Sequence, residues 1–239
     1  MILRYFKKGF NYSADGPGNR LVYHLSGCNL SCPWCANPEG LFGMATDLST
    51  EDLIKEAIAA KPLFFEGGGV TFTGGEPTLQ FAALKEALQA LKAEGISTAI
   101  ETNATHPRLA ELFPYLSLLI MDVKHHDSAA HRLWTGAGNE EVLENLKKAG
   151  ESGLPLWVRT PLICGVNAAE KDAHAFAALY RGLPLAGAKF ELLAYHEYGK
   201  PKWEKLDKPY PMKGGAVTKQ TLYLFQYVYE QSGFTVIKT

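Results

Sequence analysis

Short apolar, β-branched runs alternate with amphipathic stretches along nearly the whole chain. The runs are Leu21–Ser26, Gly69–Thr73, Ser97–Glu101, Leu118–Val123, Leu156–Pro161 and Ala188–Ala194. Each is short enough for a strand and too apolar for a loop. Between them the spacing predicts helices. From Leu79 to Glu94, Leu84, Leu88 and Leu91 recur at steps of four and three, and from Asn139 to Ser152, Val142, Leu143, Leu146 and Ala149 share a face. Ser49-Thr50-Glu51-Asp52 carries N-cap signals ahead of Leu53, Ile54, Ala57 and Ile58. Such strand–helix alternation predicts a parallel sheet with crossover helices, enough for most of a barrel but not for a closed one. The fold class expected is therefore α/β, a partial, TIM-like (β/α)6 barrel.

Tyr198–Gly215, rich in Lys, Pro and Gly, reads as a long loop before a last helix at Thr218–Ser232 and a terminal strand at Thr235–Lys238. No internal repeat or linker divides the chain. One domain is expected over residues 1–239, with residues 1–20 as an N-terminal segment and 195–239 completing the barrel.

Composition narrows the classes. Apolar residues make up 46% and charged residues 21%, so there is ample material for a core and disorder is excluded as the dominant state. With 24 Lys+Arg against 25 Asp+Glu, the balance gives no reason to expect a nucleic-acid partner. Apolar runs such as Leu116–Met121 fall far short of the ~20 residues that cross a bilayer, so no membrane span is expected. The start of the chain shows no export signal, and a cytoplasmic setting is the default. In a reducing cytosol, clustered thiols serve metals or catalysis more often than bridges.

Cys28, Cys32 and Cys35 are spaced CxxxCxxC directly after the first predicted strand, where βα folds gather functional groups. Three thiolates on one short loop suit zinc or an iron–sulfur cluster. A closed zinc site needs a fourth ligand, and the remaining Cys164 is far along the chain. A cubane cluster held by three cysteines keeps one open iron, able to bind a substrate or cofactor. Packing of small apolar thiols is the bland alternative. It is the expected role of Cys164, read as a buried, inert thiol.

With Trp34 just before the third cysteine, this loop resembles the signature of radical S-adenosylmethionine (SAM) enzymes. Gly74-Gly75-Glu76-Pro77, after the second strand, matches that family's GGE-type motif. The stretch Gly67–Glu76, the run Asp15-Gly16-Pro17-Gly18-Asn19-Arg20, Asp122-Val123-Lys124 and Tyr195-His196-Glu197 are similar to the glycyl-radical-enzyme activases within it. The resemblance implies a partial barrel and a [4Fe–4S] cluster on Cys28, Cys32 and Cys35, with SAM chelated at the open iron. Reductive cleavage of SAM then produces a 5′-deoxyadenosyl radical that takes a hydrogen atom from a glycine Cα of a partner glycyl radical enzyme. Flavodoxin or ferredoxin is the implied electron donor.

The same resemblance assigns SAM contacts to Trp34, Cys35, Ala36, Asn37, Gly74, Gly75, Glu76, Thr102, Asp122, Val123, Lys124, Arg159 and His196. It places a monovalent cation at Glu101, Thr102 and Asp122, and the partner's glycine loop at Asp15.

Each residue also has a plainer reading. Gly74 and Gly75 leave room for a ligand where a Cβ would collide, or simply end a strand. Glu76 offers a carboxylate to the SAM ammonium, or caps the next helix from an exposed position, since Pro77 suits a first helical position. Lys124, among the catalytic residues implied with the cysteines, can hold the methionine carboxylate. Strand alternation turns it to the same side as Asp122, so an ion pair is the alternative. Arg159 neutralises the SAM carboxylate or pairs with a barrel carboxylate. Trp34 offers its ring to adenine or packs beneath the loop. Asp15 engages the partner or makes a surface turn.

Three departures stand out: Glu101 where Asp is expected, Ala36 where the activases carry His, and Cys164 where Pro is expected in a short turn. A radical SAM enzyme acting on a small molecule or peptide is the alternative function. A non-enzymatic zinc or iron–sulfur module is the third, and it gives Gly74–Glu76, Lys124 and His196 no reason to co-occur.

Overall fold

The computed structural model describes residues 1–42 and 45–238; Gly43, Met44 and Thr239, the last residue of the expected domain, lie outside the described residues. Its strands are β1 (Ile2–Tyr12), β2 (Asn19–Leu25), β3 (Thr46–Ser49), β4 (Gly69–Gly74), β5 (Thr98–Thr102), β6 (Leu118–Asp122), β7 (Leu156–Leu162), β8 (Lys189–Ala194) and β9 (Thr235–Ile237). The helices are α1 (Pro38–Leu41), α2 (Thr50–Ala60), α3 (Phe81–Ala93), α4 (Ser128–Thr135), α5 (Glu140–Ser152), α6 (Glu170–Arg181), α7 (Lys200–Lys205) and α8 (Lys219–Gln231). Among the described residues, no helix is long and apolar enough to cross a membrane.

The sheet runs β3-β1-β2-β4-β5-β6-β7-β8-β9. Its two ends are different strands, so it is open, as a partial barrel requires. All six predicted strand runs are present as β2 and β4 to β8. The sequence reading named neither β1 and β3, which pair antiparallel at one edge, nor α1, α4 and α6, nor α7, which lies within the segment read as loop.

Contacts group the chain into two compact units. The first comprises Met1–Asn29, Asn37–Thr102 and His106–Ile120. Here β2, β4 and β5 run parallel, with Arg20 opposite Gly69 and Val70 opposite Thr98. Leu53 of α2 and Leu84, Leu88 and Leu91 of α3 are fully buried, and so are Val70, Phe72 and Ile100 on the strands. The predicted cap is present: Ser49 Oγ accepts from the Asp52 amide at 3.0 Å and starts α2.

The second unit comprises Leu30–Ala36, Asn103–Thr105 and Met121–Thr239. There β7, β8 and β9 run parallel. Its core is aromatic: the Phe190 ring lies 4.7 Å from Phe234 and 5.0 Å from Tyr180, which meets Tyr229 edge-on. Asp127 caps α4 by accepting from the Ala130 amide, and Thr218 caps α8 by accepting from Thr221.

Candidate functional site

In the first unit, β2 ends at Leu25 and the chain turns through Gly27 into Cys28, a half-buried cysteine outside any disulfide. Beside it, β4 ends at Gly74. The Gly75 amide donates to the Leu25 carbonyl at 2.9 Å, the Glu76 amide to the Gly27 carbonyl at 2.6 Å, and the Gly27 amide to the Gly40 carbonyl at 2.8 Å. Gly74 has φ of +121°, and a Cβ added there would lie 2.4 Å from the Leu25 nitrogen; one on Gly75 would lie 1.9 Å from the Gly27 oxygen. The two glycines are therefore demanded by the chain's own backbone. That close crossing clips the turn that carries Cys28.

A Gly75→Ala substitution has no flexible side chain to push aside, so backbone must move. Overpacking of this kind costs about 1–3 kcal/mol and more where nothing yields, and the expected loss is at the upper end. Thermal unfolding beside Gly9→Ala, whose added Cβ meets nothing within 4 Å, measures it. A change in Gly75→Ala no larger than in the control would refute the account.

Glu76 is fully buried rather than exposed. It does cap the turn at Pro77–Gln80, its Oε1 accepting from the Thr78 amide at 3.0 Å and from the hydroxyls of Thr78 and Thr102 at 2.5 and 2.7 Å. Glu101, half-buried on β5, accepts from the Thr73 hydroxyl at 2.7 Å. Cys28, Gly74–Glu76, Glu101 and Thr102 thus all sit at the carboxyl ends of the parallel strands β2, β4 and β5. Asp15 does not. It precedes β2, whose seven residues span roughly 20 Å at the usual rise. Its carbonyl accepts from Thr71 Oγ1, and its carboxylate from the side-chain amide of Asn11. Arg20, 1% exposed, ties this end together, donating to Thr71 Oγ1 and to the carbonyls of Gly67 and Val70. Burial lowers its pKa to about 10, against the opposing effect of Asp15, so it keeps its charge at neutral pH.

In the second unit, Cys32 is buried and Cys35 half-buried, and the Cys35 amide donates to the Cys32 carbonyl at 3.1 Å in a tight turn. The Ser31 amide is held by the Thr135 carbonyl at the end of α4, and the Trp34 ring lies 6.3 Å from Trp134 of that helix. Asp122 and Lys124 face the same way, as alternation predicted, and form an ion pair of 2.8 Å. The Val123 amide donates to the Arg159 carbonyl. Arg159 pairs with Glu191, its cross-strand partner on β8, with both side chains under 5% exposed. His196 is exposed and stacks on Tyr198 at 4.3 Å.

Sequence reasoning missed Glu191, Lys202 and Trp203. An acidic residue inside a predicted strand was the available signal for the first. Lys202 and Trp203 were hidden in the segment read as loop. Cys164 is exposed, not buried; its amide donates to the Gly215 carbonyl at the strand-ending turn, which leaves the side chain outward.

One group of potential metal ligands is His125, His126 and Asp172, whose donor atoms lie within 4.8 Å of one another. The hydrogen bonds argue against an ion. Nδ1 of His125 accepts from the Asp127 amide, so the proton sits on Nε2, which donates to the Val166 carbonyl. Burial and the neighbouring His126 lower the His125 pKa, in keeping with a neutral ring whose one lone pair, on Nδ1, is already engaged by the Asp127 amide.

Residues 22–177 match the radical SAM superfamily. A pyruvate formate-lyase-activating enzyme of Staphylococcus epidermidis is 32% identical over 212 residues, 84% of each chain. An isethionate sulfite-lyase activating enzyme of Nitratidesulfovibrio vulgaris is 30% identical, covering 91% of this chain and 92% of its own. The crystal structure of a domain of pyruvate-formate lyase-activating enzyme from Bacteroides vulgatus superposes with a TM-score of 0.60 at 27% identity, over 71% of this chain and 98% of that one.

Radical SAM enzymes use a [4Fe–4S] cluster and SAM. The donor set fits the cluster: three soft thiols, none in a disulfide, on one short loop, with the fourth cysteine exposed elsewhere. The open α/β sheet, the CxxxCxxC loop after β2 and the length of these matches make the chain a member of the radical SAM superfamily, and an enzyme of that family.

Proposed function

We propose that this enzyme is an activase, which takes a hydrogen atom from a glycine Cα of a partner glycyl radical enzyme and leaves the radical stored there. The observation that carries the reading is the reach of the likeness: activating enzymes for two different lyases match the chain over 84% or more of its length. When bound, the cluster and SAM supply one-electron cleavage of a sulfonium C–S bond, and with it a carbon radical able to take that hydrogen.

The protein's part is to hold and to exclude. Cys28, Cys32 and Cys35 are the cluster ligands, with the turn before Cys28 clipped by Gly75 and Glu76. The Glu76 carboxylate, preset by two threonines, is assigned to the SAM ammonium. Lys124, preset by Asp122, is assigned to its carboxylate, and Trp34, Ala36, Asn37, Thr102, Val123 and His196 to the remaining SAM contacts. Glu101, steadied by Thr73, keeps a carboxylate for a monovalent cation shared with Thr102 and Asp122. A radical that attacks nearby C–H bonds demands a substrate already in place and water kept out. Asp15, at the amino ends of the strands, is assigned to the arriving glycine loop. A cytoplasmic enzyme fed by flavodoxin or ferredoxin completes the proposal.

Electron paramagnetic resonance on reduced protein with SAM and a co-expressed glycyl radical enzyme tests it. A glycine-centred radical on the partner is expected; SAM cleavage without one on any partner would favour a small-molecule or peptide substrate instead. Asp15→Ala should spare uncoupled SAM cleavage and weaken partner activation. Equal loss of both would place Asp15 in the stability of the Arg20 cluster.

A further inference from the structure

The segment between β8 and β9 carries α7, and α7 is fastened to the end of the cysteine loop. Trp203, buried, donates its indole Nε1–H to the Cys35 carbonyl at 3.0 Å, and Lys202 donates from Nζ to the Ala36 carbonyl at 2.9 Å. Gly199, just ahead of the helix, lies so close that an added Cβ would stand 2.4 Å from the Cys35 oxygen and 2.9 Å from the Ala36 Cα. Two successive carbonyls of the loop are therefore clamped from one short helix. Trp203 is in turn placed by its own turn, its amide donating to the Gly199 carbonyl, and by Tyr210, whose ring meets it edge-on at 6.3 Å.

We infer that Trp203 and Lys202 are positioning residues for the cluster's third thiolate, and that Lys202 also biases the cluster toward its reduced state. This rests on the assignment of the cluster to Cys28, Cys32 and Cys35. The first part follows from how ligands are held: outer partners orient the backbone that carries a ligand, and losing one commonly costs about 10–100-fold in metal affinity. The second follows from charge. Reduction adds one electron to the cluster, and an ammonium held 2.9 Å from the carbonyl of Ala36, the residue after Cys35, stabilises the more negative form. The clamp also bears on Ala36. The activases' His side chain is absent there, yet the backbone at that position is held by Lys202 and need not rely on a side chain.

Two variants test the two parts on reconstituted, anaerobic protein. Trp203→Phe keeps a ring and loses the N–H; iron loss to a chelator should accelerate about 10-fold or more. Lys202→Met should lower the equilibrium constant for one-electron reduction by about 10-fold, read by potentiometric titration as a midpoint about 59 mV more negative. Lys202→Arg should restore it. A purely structural role would not move the potential or respond to restored charge. Tyr210→Phe, which leaves both clamps in place, should change neither readout. Should Trp203→Phe refuse to fold, the Lys202 pair still decides the charge effect. Unchanged iron loss in Trp203→Phe, or a midpoint indifferent to the charge at residue 202, overturns the inference. Wild-type protein that takes up no iron would instead overturn the cluster assignment beneath it.

Discussion

Cys32→Ala should abolish SAM cleavage. Wild-type protein reconstituted without oxygen is expected to hold about four irons per chain; the variant should fall well below that. Its 5′-deoxyadenosine formation should drop by more than about 100-fold, the upper end of what loss of a mere outer-shell partner costs. Folding is not the confounder, because the substitution removes one sulfur and keeps a small apolar side chain at a buried position. Cys164→Ala is the matched control: exposed and outside the loop, it should leave iron content and cleavage unchanged. Turnover retained in Cys32→Ala would show that the three-thiolate assignment is wrong. Iron content unaffected in both variants, with zinc in its place in the wild type, would favour a metal-holding module.

The strands that carry this site were legible because parallel strands buried on both faces leave continuous apolar runs. Val70–Phe72 and Leu118–Met121 are such runs, and each is almost wholly buried. β1 escaped for the opposite reason. Most of its residues are exposed, only Leu3 is fully buried, and Arg4, Lys7 and Lys8 break any alternation. β3 is four residues long with no buried position, below what periodicity can register. α7 was obscured by its own composition, since Lys200-Pro201-Lys202 reads as loop chemistry. Proline at the start of a helix is well tolerated, however, and that signal was present.

Within the site, residue types were easier to read than their partners. The spacing of the cysteines and the alternation that joins Asp122 to Lys124 are properties of one short stretch. Glu191 beside Arg159, or Thr102 beneath Glu76, depends on which strands become neighbours, and a single stretch cannot say that. The two glycines show a further limit. Room for a ligand and room for another strand's backbone call for the same residue. Only the 1.9 Å approach of a notional Cβ on Gly75 to the Gly27 carbonyl distinguishes them.

Arg159 presents the same choice with a larger energy at stake. Left to sequence, its charge serves either the SAM carboxylate or a barrel carboxylate; the fold seats it against Glu191, with the two side chains 4% and 3% exposed. Taking both ions out of water is expensive, and their attraction repays it only while both remain. Arg159→Met should therefore destabilise the apoprotein by about 3–5 kcal/mol, by taking the paired cation from the buried Glu191 carboxylate, and Glu191→Leu should do likewise by taking the paired anion from the guanidinium. The double variant should recover much of the loss, because an apolar pair of similar volume is often as stable as a buried ion pair. Denaturant unfolding of the four proteins gives the coupling directly, and contacting residues of this kind reach about 0.5–3 kcal/mol or beyond. If Arg159→Met leaves apoprotein stability untouched while SAM affinity collapses, the guanidinium is held for the ligand. If stability falls and the Glu191→Leu partner change restores both folding and SAM binding, Arg159 serves the strand pair, and Lys124 is left as the residue assigned to the methionine carboxylate.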